Sequence, residues 1–297
     1  MIAISGASGN LGRLTASLAA ELLGDPAGLV LATRNPPTVT GLVPGASARF
    51  ADFDQPESMR AAFDGVDRLL LISTDTVEDR SRQHVAAIDA AREAGVGHVV
   101  YTSMLSPGPE SPALIADSHW ATEEHLRSSG LDFTILRCSL YSDFQVYEAA
   151  DALASGRFVH NRGLGGCSYI ARSDCAWVAA AVVSGAGHEG ETYELTGPES
   201  LDATGLAALY AEVGGRPVEA VSVDDAELLR LLDGDQGADG HVHYGVALTV
   251  SLGQAIRAGH FARVTTTVQE LTGVAPRSVE NLLAERAALL RAAGADQ

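Results

Sequence analysis

The chain has 297 residues, with 38 acidic against 20 basic side chains and a net charge of −18. With no basic stripe along it, nucleic acid is excluded as a primary partner, and no apolar run approaches the roughly 18 residues that a membrane span needs. All 20 basic residues are arginine, so a Schiff-base lysine, a Walker-type phosphate lysine and a Tyr-x-x-x-Lys dyad are ruled out at the start.

The chain opens on a short apolar strand, Ile2-Ala3-Ile4, and runs into Gly6-Ala7-Ser8-Gly9-Asn10-Leu11-Gly12. Apolar residues then recur with helical period at Leu14, Leu18, Leu22 and Leu23. Three glycines between a strand and a helix allow a tight turn and close backbone approach, and the helix N-terminus attracts an anion. The arrangement points to a dinucleotide pyrophosphate. A glycine-rich turn with no ligand is the plain alternative. No basic-then-apolar leader precedes this strand, and Cys138, Cys167 and Cys175 form no CxxC pair, so the expectation is a cytoplasmic protein with reduced thiols.

Strand-like runs follow at 29–33, 48–51, 68–73, 98–102 and 133–137, alternating with helical patterns at 56–63, 79–94 and 115–129. The run Arg-Leu-Leu-Leu-Ile-Ser at 68–73 is continuous, as in a strand buried on both faces. This alternation predicts an α/β fold, a doubly wound parallel sheet with right-handed crossovers. After about residue 142 the rhythm changes. Residues 144–154 and 174–184 read as helices and 192–195 as a strand that returns to the main sheet, while 201–297 is mainly helical. The expected organisation is a nucleotide-binding domain over 1–150, with 174–195 returning to it, and a substrate lobe over most of 151–297.

In an NAD-specific fold the second strand ends in an acid for the ribose diol. Here it ends Ala32-Thr33-Arg34-Asn35, without one. Arg34 suits the 2′-phosphate of NADP(H) instead, although a solvated loop arginine is the alternative. No second cation adjoins it, so the expected preference is modest. Asp52 after the third strand is placed to accept from the adenine amine with Phe53 on the ring, or Asp52 or Asp54 caps the helix at Pro56. Ser73, Thr74, Thr102 and Ser103 lie at carboxyl ends of strands, where ligands bind in such sheets.

With these residues in view, the chain resembles the NmrA-like branch of the atypical short-chain dehydrogenases/reductases, and within it type 2 NAD(P)H:quinone oxidoreductases and triphenylmethane reductases. The similar segments are 6–12, 32–36, 67–73, 99–105, 115–123, 134–144, 171–174 and 187–197, with weaker ones at 259–261 and 271–278. The resemblance implies a Rossmann domain, a smaller C-terminal lobe and a nicotinamide cleft between them. It implies that residues 6–11 hold the pyrophosphate, Arg34 the adenosine phosphate, and Ser73, Thr74 and Asp75 the ribose. Cys138, Ser139, Leu140, Tyr141, Ser142 and Asp143 then lie beside the nicotinamide, with Gln83 and Arg172 peripheral. Cys138 stands where many relatives carry asparagine, and Asp143 is a second departure.

The missing lysine bears on the chemistry. Ketone reduction makes a strongly basic alkoxide and needs a positioned acid, whereas hydride addition to a quinone gives a delocalised anion for which one hydrogen-bond donor suffices. The acceptor expected is therefore a small conjugated molecule. His119, sharing a helix face with Glu123, is the candidate for proton delivery, unless the two simply pair. Tyr141 is a second candidate donor or else core packing, and Tyr101 reads as core. Cys138 reads as an inert small residue. His241 and His243 lack further ligands, so no metal is expected. The proline-bearing stretch 104–117 has the length of a lid. Two rival functions are an NADP-sensing regulator without turnover and a reductase of a biosynthetic enone or imine; the quinone-reductase-like segment 134–144 favours the enzyme. A homodimer stays open.

Overall fold

The structure, a computed structural model, describes residues 1–76, 79–233 and 243–295. Seven parallel strands form the central sheet: β1 (Ile2–Ile4), β2 (Leu29–Thr33), β3 (Ser47–Phe50), β4 (Arg68–Leu71), β5 (His98–Met104), β6 (Asp132–Cys138) and β8 (Thr192–Leu195). Their order is β3-β2-β1-β4-β5-β6-β8. β1 pairs with β2 through Ile4↔Leu31 on one side and with β4 through Ile4↔Leu70 on the other. Strand order therefore reverses beside β1, and the carboxyl ends there diverge into a crevice.

The strand side chains alternate between two cores. Ile2, Ile4, Leu29, Leu31, Leu70, Val100 and Leu136 pack under α1 (Asn10–Leu23) and α6 (Arg172–Ser184). Ala3, Val30, Leu69, Leu71, Val99, Tyr101 and Ile135 pack under α2 (Pro56–Ala62), α3 (Arg80–Glu93) and α4 (Ala116–Ser128). Burial on both faces is why these strands read as unbroken apolar runs. β8 pairs in parallel with β6, and α6 packs against α1.

A further apolar cluster lies on the β6 side of the sheet. It is built from α5 (Gln145–Ser155), β7 (Arg157–His160), α7 (Ala203–Gly214), α9 (Tyr244–Arg257), α11 (Val279–Ala284) and α12 (Ala287–Ala295). β7 pairs in parallel with β9 (Glu219–Ser222) as a separate two-stranded sheet. Neither strand was expected from sequence. Each is four residues long and exists through a partner some sixty positions away, which local periodicity does not register. α8 (Asp225–Asp233) and α10 (Thr267–Thr272) complete the described α-helices. The glycine-rich stretch 234–240 and His241 lie outside the described residues.

Candidate active site

The carboxyl ends of β1 to β6 open into a cleft of about 870 Å³ that continues between α5 and α9. Its floor begins at the glycine turn. Gly6 has φ +61°, which an L side chain rarely adopts, and its carbonyl accepts from Gly9 N–H at 2.9 Å. A Cβ on Gly12 would stand 2.4 Å from the Gly6 oxygen and 2.8 Å from Ala7 Cα, so α1 seats on the turn only because residue 12 has no side chain. Gly9, the N-cap of α1, supplies no side-chain cap. The first N–H groups of the helix are left to an outside acceptor, and the dipole favours an anion. Gly6, Ser8, Gly9, Asn10, Leu11 and Gly12 all line the cleft. Ala7 does not. It is fully buried, and its N–H donates to the Ala32 carbonyl at 3.2 Å, so it anchors the turn to β2 and is not free to hold phosphate.

Arg34 lies exposed at the end of β2, lines the cleft and has no hydrogen-bond partner among the described residues. A second guanidinium, not expected from sequence, stands on this side. Arg13 donates from Nε to the Ser8 carbonyl at 2.9 Å and from Nη2 to the Thr38 carbonyl at 2.8 Å, bridging the turn and the loop beyond Arg34. Thr33 Oγ1 donates to Ser8 Oγ at 2.9 Å, a second tie.

Asp52 and Phe53 line the cleft beside β3. Neither Asp52 nor Asp54 caps α2, whose N-cap is Gln55. Asp52 instead accepts from Asp54 N–H and Gln55 Nε2 within its own turn, at 3.1 and 3.0 Å. Hydrogen bonds from Gln83 and Arg82 hold the Asp54 carboxyl below its usual range, and the Arg34 charge adds to them. Gln83 is buried and lines the cleft, and its Oε1 has no partner among the described residues. An orphaned acceptor, open helix N–H groups and a free guanidinium along one wall fit an adenine amine, a pyrophosphate and a ribose phosphate.

Ser73, Thr74 and Asp75 follow β4 along the cleft. Ser73 N–H donates to Thr102 Oγ1 at 2.9 Å and Thr74 N–H to His84 Nε2 at 3.0 Å. The second bond fixes a tautomer chain. Because His84 Nε2 accepts, its proton sits on Nδ1, which donates to Thr122 Oγ1 at 3.0 Å, and that hydroxyl donates to the Ser118 carbonyl at 2.8 Å. Tyr101 OH faces that Nδ1–H at 3.3 Å and keeps its own proton, which points as a hydrogen-bond donor to His119 Nδ1 at 2.8 Å. His119 is left with Nε2–H, which has no partner among the described residues, and the ring lines the cleft. Burial, and then the Arg80 charge, depress both imidazoles, His84 to about 3 and His119 well below its ordinary value. His119 is thus a neutral hydrogen-bond donor rather than the titrating acid expected from sequence.

The anticipated His119–Glu123 pair does not form. Glu123 is fully buried and accepts from Ser103 Oγ at 2.7 Å, from Arg137 at 3.0 and 2.6 Å and from Arg127 at 3.0 Å. It binds α4 to β5 and β6 and uses up the Ser103 hydroxyl. Tyr101 is fully buried, as expected of a core residue, yet its hydroxyl sets the His119 tautomer. Nothing near it in sequence signals that link.

On the β6 side, Cys138, Ser139, Leu140 and Tyr141 line the cleft, while Ser142 and Asp143 do not. Ser142 is fully buried with its N–H on the Ile170 carbonyl at 2.8 Å. Asp143 accepts from Arg172 N–H at 2.9 Å and Nη1 at 3.1 Å. The Arg172 guanidinium then lies 4.9 Å from the Tyr141 ring centroid, clamping it. Burial raises the Tyr141 phenol well above 10, so it stays protonated. Its hydroxyl has no partner among the described residues. Of the stretch 104–117 only Met104 and Ile115 reach the cleft, and the prolines do not; the opposite wall comes from Leu248, Leu252 and Ile256 of α9.

Residues 6–185 match the NAD(P)H-binding family. The chain belongs to that family. It is 38% identical over 234 residues to quinone oxidoreductase 2 of Escherichia coli K12, covering 78% of this chain and 81% of the relative. The crystal structure of the NADPH-dependent quinone oxidoreductase from Escherichia coli, complexed with NADPH, superposes with a TM-score of 0.89 at 33% identity, covering 98% and 99% of the two chains. The Citrobacter sp. triphenylmethane reductase complexed with NADP(H) gives 0.86 at 32% identity, covering 97% and 100%. The family's cofactor is NAD(P)H.

Proposed function

We propose that this protein is an NADPH-dependent reductase that passes hydride to a planar conjugated acceptor of the quinone type. The carrying observation is the His119 ring at the cleft, bonded through Nδ1 to the Tyr101 hydroxyl at 2.8 Å and with no partner at Nε2 among the described residues, in a chain that has no lysine to build an acid–base dyad. Bound NADPH supplies the hydride. The glycine turn receives the pyrophosphate, Arg34 receives the 2′-phosphate, and Gln83 accepts from the adenine amine. Ser73 and Thr74, whose N–H groups are held by Thr102 and His84, border the ribose. His119 Nε2–H and Tyr141 O–H then donate to the oxygen on which negative charge gathers, and water delivers the final proton to a weakly basic anion. The lobe after α5 closes the acceptor side. Supporting this reading are the quinone and dye reductases among the relatives.

The test is NADPH consumption by purified protein with neutral naphthoquinones, a triphenylmethane dye and a simple aliphatic ketone. Turnover with the conjugated acceptors and none with the ketone is expected. Equal turnover of the ketone, or none with any acceptor, refutes the proposal.

A further inference from the structure

Beyond Tyr141 the cleft ends in a polar group that the chemistry at His119 does not use. Gln145 is 2% exposed at the start of α5 and lines the cleft. Tyr210 OH lies 2.7 Å from its Oε1 and 3.4 Å from Glu148 Oε2, so the tyrosine proton belongs to the shorter bond. That bond fixes the amide, leaving both Nε2–H donors without a partner among the described residues, on a side chain whose one open direction is the cleft. Glu148, one turn along the same helix, also lines the cleft and holds Arg162 Nη2 at 2.6 Å. Arg162 donates from Nη1 to Tyr169 OH at 2.8 Å and rests 5.0 Å from the Phe158 ring centroid. The guanidinium at this wall is therefore paired with a carboxylate that itself faces the cleft.

We infer that Gln145 and the Glu148–Arg162 pair form an acceptor subsite that takes a neutral oxygen, a carbonyl or hydroxyl at the far edge of the ring system, and rejects an anionic substituent. An amide donor that opens on the cleft with no partner among the described residues gains from an oxygen acceptor. An unpaired arginine would draw a sulfonate or carboxylate, but Glu148 cancels its charge and sets a carboxylate against any anion entering there. The selected class is the neutral quinone or hydroxylated quinone rather than the sulfonated quinone or dye. This inference rests on the proposed quinone chemistry and identifies its substrate class.

The experiment compares a neutral naphthoquinone with its sulfonated analogue in wild type, Gln145→Met and Glu148→Gln. Binding is read by calorimetry in the presence of NADP⁺, where no turnover occurs, and kcat/KM with NADPH is read alongside. Gln145→Met is expected to weaken the neutral quinone about fivefold to tenfold, the worth of about one hydrogen bond, with NADP⁺ affinity unchanged. Glu148→Gln, which keeps shape and releases the Arg162 charge, is expected to raise the sulfonated-to-neutral preference by about tenfold or more. Unchanged quinone affinity in Gln145→Met, or an unchanged preference in Glu148→Gln, overturns the inference while wild-type turnover leaves the reductase reading standing. Conversely, quinone binding that shifts as expected without turnover in wild type overturns the reductase reading and keeps the subsite. Thermal melts identify any variant that fails to fold; Gln145→Met, which touches no ion pair, then carries the test alone.

Discussion

Replacing Tyr101 with phenylalanine removes one oxygen from a fully buried ring and leaves its packing intact. That oxygen donates a hydrogen bond to His119 Nδ1 at 2.8 Å. Without it, His119 either keeps Nδ1 bare and buried, a loss of about 1–3 kcal/mol of stability, or moves its proton to Nδ1 and turns an acceptor toward the cleft. Either way the population with Nε2–H falls. Loss of one donor to a localised oxyanion lowers turnover by about a hundredfold to a thousandfold. A hydroquinone anion spreads its charge, so the expected loss in kcat is smaller, about tenfold to a hundredfold, or roughly 1.4–2.7 kcal/mol in the barrier. NADPH affinity should stay within about twofold, because no atom of the cofactor wall moves. Single-turnover NADPH oxidation reads the first quantity and fluorescence titration the second. Nitrogen-15 NMR of the histidines reads the tautomer, with wild-type His119 expected in the Nε2–H form. A folded Tyr101→Phe protein with wild-type kcat would refute the tautomer argument, since a purely structural hydroxyl would alter stability and not the rate.

Arg34→Ala is expected to weaken NADPH about tenfold in calorimetry while leaving NADH within about twofold, because only the 2′-phosphate contact is lost; equal losses would contradict its role. Gly12→Ala places a methyl 2.4 Å from the Gly6 oxygen, so the helix must shift, and a melting temperature reduced by several degrees together with loss of NADPH binding is expected from a differential scan. Stability should fall with acid. His84 and His119 are neutral in the fold while an unfolded histidine takes up a proton near 6.5. Below that pH the unfolded state binds more protons, and each histidine forfeits about 1.4 kcal/mol per pH unit until its folded pKa is reached. Urea denaturation at about pH 7.5 and 5 should show a loss of the order of 2 kcal/mol per histidine, and His84→Asn should show a shallower decline than wild type.

The centre of the sheet was legible because β1, β2, β4 and β5 are buried on both faces and read as largely apolar runs, with the strand at 29–33 matching β2 residue for residue. The glycine turn was legible because phosphate binding depends on backbone spacing within seven consecutive residues. What escaped depends on distance in sequence. Arg13 ties the glycine turn to the loop after β2 through carbonyls of Ser8 and Thr38. Glu123 sits one helical turn from His119, yet its partners are Ser103, Arg127 and Arg137, so an i, i+4 rule named the wrong pair. His84 and Tyr101 look like core residues because they are core residues; their bearing on His119 comes from which nitrogen carries a proton, and that is decided by the Thr74 N–H above them. Gln145, Glu148 and Arg162 lie on α5 and beyond β7, and they are joined by a direct Glu148–Arg162 pair and by Tyr210 of α7, which bonds Gln145 and Glu148.

The central claim is that this cleft delivers hydride from NADPH to a flat conjugated acceptor with a neutral histidine as donor. Its most direct measurement is the pH profile of single-turnover NADPH oxidation by a neutral naphthoquinone, for wild type and His119→Phe. A wild-type rate that is flat from about pH 6 to 8, as a neutral donor requires, and a His119→Phe rate lower by about tenfold or more at every pH, is the result predicted. A wild-type rate that follows a titration near the ordinary histidine value, or a His119→Phe rate equal to wild type, would contradict it.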